Sequence, residues 1–415
     1  PHAGGLGELN GIAGLLAVRW DAASQAYGGS PTADYRPGEG IWLQTATPFT
    51  RRLLGAATPL TEQRLALAQG WNACANPYGQ PLAWDLAAIG VEVNGALVGH
   101  LSDQALWTTT VQPYGWAYDA TLGYRLVFDP TRLGFEAALG ELPPGGGVWL
   151  RALAQGVSLV LPAPAAGSAQ RSRRATSARD WALTLSATQG SADRQNVMVG
   201  MTSDLARPLE LAQPPEARGE PGLTASLLSA NGTRLAGALG TAGTSQSWDL
   251  ELAGGTRDAV VLAWPALGRS LPAGLLLELT DPASGAVTLL NTRASWRWQP
   301  SRAGETRRLR LTARLGHVAR SSITNLTLGG SRATGHTLSV TLSAGADVTL
   351  TVRGLGGRLV KQVRQTCAAG TTALAWDGTD ADGRPVPRGV YQLEAQATSA
   401  NGAVDKAVRT VTVGQ

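Results

Sequence analysis

Turn-forming residues recur at short intervals along the whole chain, and this spacing limits the fold more than any other feature of the sequence. The 415 residues include 52 glycines and 23 prolines. These stand between short runs in which apolar and polar residues alternate, such as 181–187 and 275–279. Alternation with a period of two, bounded by turn residues, is typical of half-buried strands. The sequence therefore predicts an all-β protein.

The distribution of aromatic residues divides the chain. Residues 1–165 hold seven of the 13 tryptophans, six of the seven tyrosines and all three phenylalanines. A stretch rich in Pro, Ala, Gly and Ser follows, which is typical of a linker. We expect tandem β-sandwich modules. The predicted segments are a Trp-rich duplicated β domain at 1–165, a linker at 166–180, a β-sandwich at 181–328 and a further β domain at 336–415.

The Trp-rich segment contains a degenerate internal repeat. Trp20-Asp21, Tyr27 and the run Pro37-Gly-Glu-Gly-Ile-Trp42 recur as Tyr118-Asp119, Tyr124 and Pro144-Gly-Gly-Gly-Val-Trp149. We interpret each copy as a strand followed by a Gly-rich turn and a strand whose tryptophan is buried. A further strand is predicted after each copy, at 50–54 and at 157–161.

The first copy lacks the segment that introduces the second copy, Gly70-Trp71-Asn72. A sheet that is short of one strand has an exposed edge, which a protein must cover or use. We therefore expect an open edge at Leu15, Leu16, Val18 and Trp20 that accepts a strand from a neighbouring subunit. Repeated head to tail, such a contact does not close and produces a fibre.

The C-terminal segment carries the most specific pattern. Trp376-Asp377-Gly378, Asp380-Ala-Asp382-Gly383 and Pro387-Arg-Gly389-Val-Tyr391 lie between strand-like runs. This pattern resembles the immunoglobulin-like (Ig-like) domain that ends the flagellar hook-capping protein and many other secreted bacterial proteins. The resemblance implies that the tandem β-sandwich modules end in an Ig-like domain at 336–415, but it implies little about activity, since this domain is a recurrent appendage. The helical assembly region of a hook cap has no counterpart in this sequence, which argues against that function.

The two preceding segments have looser resemblances. Residues 1–165 resemble the Trp-rich β-repeat regions of exported bacterial proteins, and residues 181–328 resemble the sandwich that often follows such repeats. Neither resemblance implies a chemistry.

Three aromatic residues form a candidate glycan-stacking surface. Trp107, Tyr114 and Trp116 have no counterpart in the first copy, and exposed aromatic rings in Gly-rich regions stack on sugars. The alternative is that they fill the core, as we expect for the recurring Trp42 and Trp149.

The acidic loop with Asp377, Asp380 and Asp382 is a candidate weak cation site. The first position of a helix–loop–helix calcium motif would be Gly378, and no flanking helix is predicted. The alternative is a tight hairpin in which Asp and Gly supply the turn geometry.

The sequence shows no pattern of residues that indicates catalysis. The four histidines are scattered, and Asp21 and Asp119 occupy equivalent turn positions of the repeat. No nucleophile elbow, metal-ligand spacing or phosphate-binding glycine loop is present. We expect no enzyme activity, no cofactor and no metal.

Charge and cysteine content limit the partners. The net charge is +5, but no basic stripe with interleaved aromatics indicates nucleic-acid binding. Cys74 and Cys367 are compatible with a long-range disulfide or with two buried thiols. No apolar run is long enough to span a membrane, and we expect an exported protein whose signal peptide has been removed.

Together these patterns predict an extracellular structural subunit of a bacterial surface fibre, filament or layer. Its partners would be copies of itself or other surface proteins. The alternative is a glycan-binding adhesin, or an accessory module of a polysaccharide-degrading system, with polysaccharide as the partner.

Overall fold

The computed structural model describes most of the chain. The described residues are 2–3, 14–28, 36–45, 56–131, 138–164, 180–190, 193–216, 222–241, 243, 245–264, 271–272, 275–315, 321–331, 335–399 and 403–413. The strand predicted at 50–54 and nearly all of the predicted linker at 166–180 lie outside them.

The described residues form strands and turns with one short 3-10 turn, Leu106–Thr108. The first strands are β1 (His2–Ala3), β2 (Leu16–Asp21), β3 (Ala26–Tyr27), β4 (Ile41–Gln44), β5 (Ala56–Ala57), β6 (Gln63–Leu67), β7 (Gly70–Ala75), β8 (Leu82–Ala83), β9 (Gly90–Val93), β10 (Ala96–His100), β11 (Val111–Asp119), β12 (Gly123–Val127), β13 (Ala138–Leu139), β14 (Glu141–Leu142), β15 (Gly147–Ala152) and β16 (Val157–Leu161).

The later strands are β17 (Trp181–Gln189), β18 (Asp193–Thr202), β19 (Leu209–Ala212), β20 (Thr224–Leu228), β21 (Arg234–Thr241), β22 (Ser245–Ala253), β23 (Val260–Ala263), β24 (Leu275–Asp281), β25 (Ala286–Leu289), β26 (Ser295–Trp298), β27 (Thr306–Leu315), β28 (Ile323–Ser331), β29 (Gly335–Leu342), β30 (Ala346–Gly354), β31 (Leu359–Cys367), β32 (Gly370–Trp376), β33 (Gly389–Ser399) and β34 (Val404–Val413). The predicted all-β class is confirmed. In β17 and β24 every second residue is buried, which is the period-two pattern read from the sequence.

The chain divides into two compact units. The first comprises 1–184, 191–226 and 234–242, and the second comprises 185–190, 227–233 and 243–415. This division differs from the predicted segments, because part of the predicted sandwich belongs with the Trp-rich region. A single hydrophobic cluster contains Trp116 and Phe128 together with Met198, Leu211 and Leu239.

In the first unit the internal repeat is confirmed by strand order and register. One sheet has the order β3-β2-β4, and a larger sheet has the order β13-β12-β11-β15-β7. In the first copy Val18 pairs with Trp42, and Trp20 pairs with Tyr27. In the second copy the equivalent pairs are Trp116 with Trp149, and Tyr118 with Tyr124. A four-stranded antiparallel sheet, β10-β9-β16-β6, contributes to the same core.

The second unit contains the Ig-like domain. Its two sheets have the orders β28-β29-β32 and β31-β30-β33-β34. Their facing sides bury Leu338, Leu350, Trp376 and Leu393. The Trp376 indole donates to the Thr379 carbonyl at 2.8 Å, and the Tyr391 hydroxyl donates to the Pro387 carbonyl at 2.8 Å. The conspicuous residues of the sequence pattern therefore fix the loop between β32 and β33.

Candidate functional site

The predicted glycan-stacking residues lie in the core of the first unit. Trp107, Tyr114 and Trp116 are 7%, 0% and 4% exposed. The Trp107 indole donates to the Leu101 carbonyl at 2.6 Å, and the Trp116 indole donates to the Ala212 carbonyl at 3.0 Å. The Tyr114 hydroxyl accepts from the Ala212 N–H at 2.6 Å, and burial raises its pKa. Because buried rings offer no face to a sugar, the prediction of a glycan surface here is wrong, and the core alternative is correct.

Equivalent tyrosines of the two repeat copies bind adjacent carbonyl groups. The Tyr27 hydroxyl donates to the Glu216 carbonyl at 2.8 Å, and the Tyr124 hydroxyl donates to the Pro215 carbonyl at 2.7 Å. Burial raises the pKa of Tyr27 to about 12 and also raises the pKa of Tyr124. Both hydroxyls are therefore protonated donors at neutral pH.

The predicted open edge at Leu15, Leu16, Val18 and Trp20 is paired on one side only over much of its length within the described residues. β2 is the middle strand of its sheet, with Leu16 and Val18 paired to β4 and Trp20 paired to β3. Val18 is buried, and the Trp20 ring lies edge-on to Trp149, with 5.1 Å between ring centroids. Leu15 lies just before β2 and is partly buried. No described strand pairs with Leu16 or Val18 on the side away from β4, so acceptance of a foreign strand at these residues stays a prediction.

The first repeat copy instead covers the outer edge of β7. Gln25 accepts from the Trp71 N–H at 2.7 Å and donates to the Trp71 carbonyl at 2.9 Å. Further along β7, the Gly40 N–H donates to the Ala73 carbonyl at 3.0 Å. A Cβ atom at Gly40 would lie 2.6 Å from the Cys74 carbonyl oxygen, so this close approach requires glycine. This outer edge of β7 is therefore covered within the chain.

The acidic loop directs its carboxylates to its own turn. Asp377 accepts from Lys361 Nζ at 2.8 Å and from the Thr379 hydroxyl at 2.6 Å. Asp380 accepts from the Asp382 and Arg384 backbone N–H groups at 3.0 and 2.9 Å. These bonds hold the turn through Oδ1 of Asp377 and Oδ1 of Asp380, so the hairpin alternative describes the loop, and the weak cation site stays a prediction. Within the described ranges, no group of three His, Cys, Asp or Glu side chains is arranged to hold a metal ion.

The two cysteines are free, buried thiols, and this excludes the disulfide alternative. Burial, and secondarily the nearby Glu39 carboxylate, raises the pKa of Cys74 to about 12. Burial also raises the pKa of Cys367. Neither sulfur is a reactive thiolate at neutral pH.

A cavity of about 1330 Å³ lies in the second unit. Its lining comes from β24, β25, β26, the end of β27 and the end of β31. The buried Asp347 at the start of β30 accepts hydrogen bonds from Thr292, Arg293 and Thr366. This carboxylate therefore holds the loop after β25 against the β30–β31 hairpin, and it fixes two walls of the cavity.

The cavity lining is positively charged. It includes four arginines, Arg293, Arg297, Arg314 and Arg364, but its one carboxylate is Glu278. Arg293 is committed to Asp347 at 3.2 Å, and Arg314 lies 3.9 Å from Glu278. Arg297 and Arg364 have no carboxylate partner in the described part of the chain, and the partly buried Trp296 also belongs to the lining. Sequence reasoning missed this cavity because its residues come from strands far apart in the chain.

None of the described helical segments is long and apolar enough to cross a membrane.

The comparisons with known proteins identify the C-terminal domain. A family model described as the FlgD Ig-like domain matches residues 324–401, which confirms the resemblance read from the Trp376–Tyr391 pattern. No curated protein matches the chain.

Three solved structures illustrate the structural similarity. FlgD from P. aeruginosa is 24% identical, with 22% of this chain and 67% of that chain covered and a TM-score of 0.18. A tetra-tandem repeat from the extending region of a large adhesion protein is 13% identical, with 57% and 68% covered and a TM-score of 0.19. Dimeric latent PorU from Porphyromonas gingivalis is 10% identical, with 85% and 32% covered and a TM-score of 0.21.

Proposed function

We propose that the chain is an extracellular structural protein of a bacterial surface fibre, filament or layer. One observation carries this proposal: the aromatic hydroxyl and indole groups of the first unit bind backbone carbonyls of distant strands, as Trp116 does with Ala212. Such bonds hold a β framework together. The terminal FlgD-type Ig-like domain supports the proposal, because this domain is a recurrent appendage of exported bacterial proteins.

Assembly through β2 of the first repeat stays a prediction. The four-stranded sheet offers another route, since β10 and β6 are its two edge strands within the described residues. β10 carries Leu97 and Val98, which are 61% and 45% exposed. An exposed apolar edge strand is a template for pairing with another chain.

The strand directions favour pairing between copies of this chain. Successive strands of the sheet are antiparallel, so β10 and β6 run in opposite directions. β10 of one copy would therefore extend the β6 edge of the next copy as a continuous antiparallel sheet. This head-to-tail contact does not close and builds a linear assembly.

Sedimentation velocity and negative-stain imaging over a range of concentrations test this proposal. We expect linear assemblies of the native chain and their loss in Val98→Lys, because a charge on an edge strand opposes pairing. Leu122→Lys, at an exposed turn residue of the same unit, is the matched control and should assemble normally. A native chain that stays monomeric at every concentration would contradict the proposal.

The extracellular location is tested separately on cells that produce the native protein. Antibody against the Ig-like domain should label intact cells or shed material. Labelling that requires permeabilised cells would count against this part of the proposal.

A further inference from the structure

The cavity of the second unit combines three kinds of group that bind a common class of ligand. Arg297 and Arg364 supply guanidinium groups without a carboxylate partner in the described residues, and Trp296 supplies an aromatic ring. Hydroxyl side chains such as Ser245 and Ser295 line the same cavity. This combination of charged, aromatic and hydroxyl side chains differs from the apolar lining of a groove that binds another protein.

The arginines indicate an anionic ligand. A guanidinium binds a carboxylate through two parallel N–H···O bonds, and it keeps its charge at every physiological pH. An excess of positive groups in a concave site also attracts anions from solution. Arg293 and Arg314 lie next to the carboxylates of Asp347 and Glu278, respectively. The positive charge available to an anionic ligand therefore comes chiefly from Arg297 and Arg364.

The remaining lining favours a sugar over a peptide. A pyranose ring presents C–H groups that pack on an aromatic face and hydroxyls that exchange hydrogen bonds with serine and threonine side chains. The cavity of about 1330 Å³ exceeds the ~300–1,000 Å³ of ordinary small-molecule sites. It therefore has room for more than one sugar residue.

We propose that this cavity binds an acidic oligosaccharide. Carboxylates of its uronate residues pair with Arg297 and Arg364, and a further sugar residue packs on Trp296, which projects from the opposite face of the edge strand β26 to Arg297. The walls are already fixed by the hydrogen bonds to Asp347, so little ordering is needed on binding. The site is independent of the proposed assembly, because β10 and β6 lie in the first unit and all the lining residues lie in the second.

Isothermal titration calorimetry with trigalacturonate tests this inference on the full chain. We expect binding that weakens as salt concentration rises, and about tenfold weaker binding in each of Arg297→Ala and Arg364→Ala. Arg358→Ala is the matched control, since Arg358 is exposed in the turn between β30 and β31 and lies outside the cavity lining. Binding by Arg358→Ala should equal that of the native chain.

Two further ligands distinguish an acidic sugar from a neutral sugar and from an acidic peptide. The methyl ester of trigalacturonate keeps the rings but loses the charges, and it should bind far more weakly. Triglutamate keeps carboxylates without the rings, and binding as tight as that of trigalacturonate would overturn the assignment to a sugar. The inference would be overturned altogether if trigalacturonate did not bind the native chain, or if both arginine variants bound it as tightly as the native chain does.

Discussion

Three buried tryptophans of the first unit serve two roles, since the ring fills the core and the indole N–H binds a carbonyl group. Trp84 donates to the Pro113 carbonyl at 2.9 Å, and Trp107 and Trp116 donate to Leu101 and Ala212. A buried carbonyl that loses such a donor is costly, because no water replaces it. Side chains that looked available for ligand binding in the sequence are therefore committed to the fold.

Replacement of Trp116 tests this role. We expect Trp116→Ala to lower the free energy of unfolding by about 3–5 kcal/mol, since it leaves a cavity. Trp116→Phe keeps most of the ring volume but loses the bond to Ala212, and it should cost about 1–3 kcal/mol. Urea denaturation measures both, with Leu122→Ala at an exposed turn as the control, which should change stability by less than about 0.5 kcal/mol. A Trp116→Ala protein as stable as the control would contradict the core assignment.

We assign a loss of stability of the Ig-like domain in acid to the side chain of Asp377. The hydrogen bond from Lys361, followed by that from Thr379, lowers the pKa of Asp377 to about 2. A lowered pKa in the folded state stabilises the fold above the ordinary pKa of Asp, and this stabilisation is lost as the pH falls towards 2. We expect a small loss, below about 1 kcal/mol, because the side chain is exposed.

Hydrogen exchange of the β32 amides between pH 5 and pH 2 measures this effect. Asp377→Asn should remove the part of the destabilisation that develops below pH 4. Asp382→Asn leaves the Lys361 contact intact and should respond as the native chain does. An unchanged acid response in Asp377→Asn would show that another group is responsible.

At the scale of strands, the outer edge of β7 is completed by a side chain. Gln25 stands in the turn between β2 and β3 with a φ of 52°, a conformation that few residues other than glycine adopt. From there its amide group binds both backbone groups of Trp71, as a neighbouring strand would. An edge closed in this way offers no free backbone groups at that position to another chain.

Substitution of Gln25 should open this edge locally. In Gln25→Ala we expect the Trp71 amide to exchange with solvent about tenfold faster, since its acceptor is lost and a hydrogen bond is worth about 1 kcal/mol. Gln25→Asn tolerates the positive φ but is too short to reach both groups, so it should show the same change. Hydrogen exchange followed by mass spectrometry measures both, and unchanged exchange at Trp71 would contradict the capping role.

Short-range patterns in the sequence predicted the strands well. They did not predict which polar groups form hydrogen bonds with residues far away in the sequence. The repeat was visible because Trp42 and Trp149 stand at the same place in similar runs, and the strands pair accordingly. The indole groups of Trp107 and Trp116 bind the carbonyl groups of residues 101 and 212. No local sequence pattern identifies these acceptors. The positively charged cavity could not be predicted either, because β26 and β31 line it together although they lie far apart in the sequence.

For the whole molecule, the main consequence concerns what counts as a folding unit. Residues 191–226 and 234–242 belong to the same compact unit as the Trp-rich region. The composition change near 165 marked a boundary in sequence but not the end of the core, because Met198 and Leu239 pack among the aromatic residues. The match to the FlgD Ig-like domain at 324–401 was predictable because its loop residues are local in sequence.

Cleavage within 166–180 tests this organisation. A protease recognition sequence inserted there should allow complete cutting, and the two fragments should then remain together on size-exclusion chromatography. They should separate only in denaturant, because the core they share includes residues from both sides of the cut. Separation under native conditions would show instead that the first 165 residues form an independent domain.

The pair of tyrosine contacts gives the internal duplication a particular meaning. Tyr27 and Tyr124 occupy matching positions in the two copies, and they bind the neighbouring carbonyls of Glu216 and Pro215. Duplicated segments usually provide redundancy, since one copy can change while the other keeps the original role. Here both copies bind the same third segment at neighbouring carbonyls, so loss of either tyrosine removes a contact that the other copy does not replace.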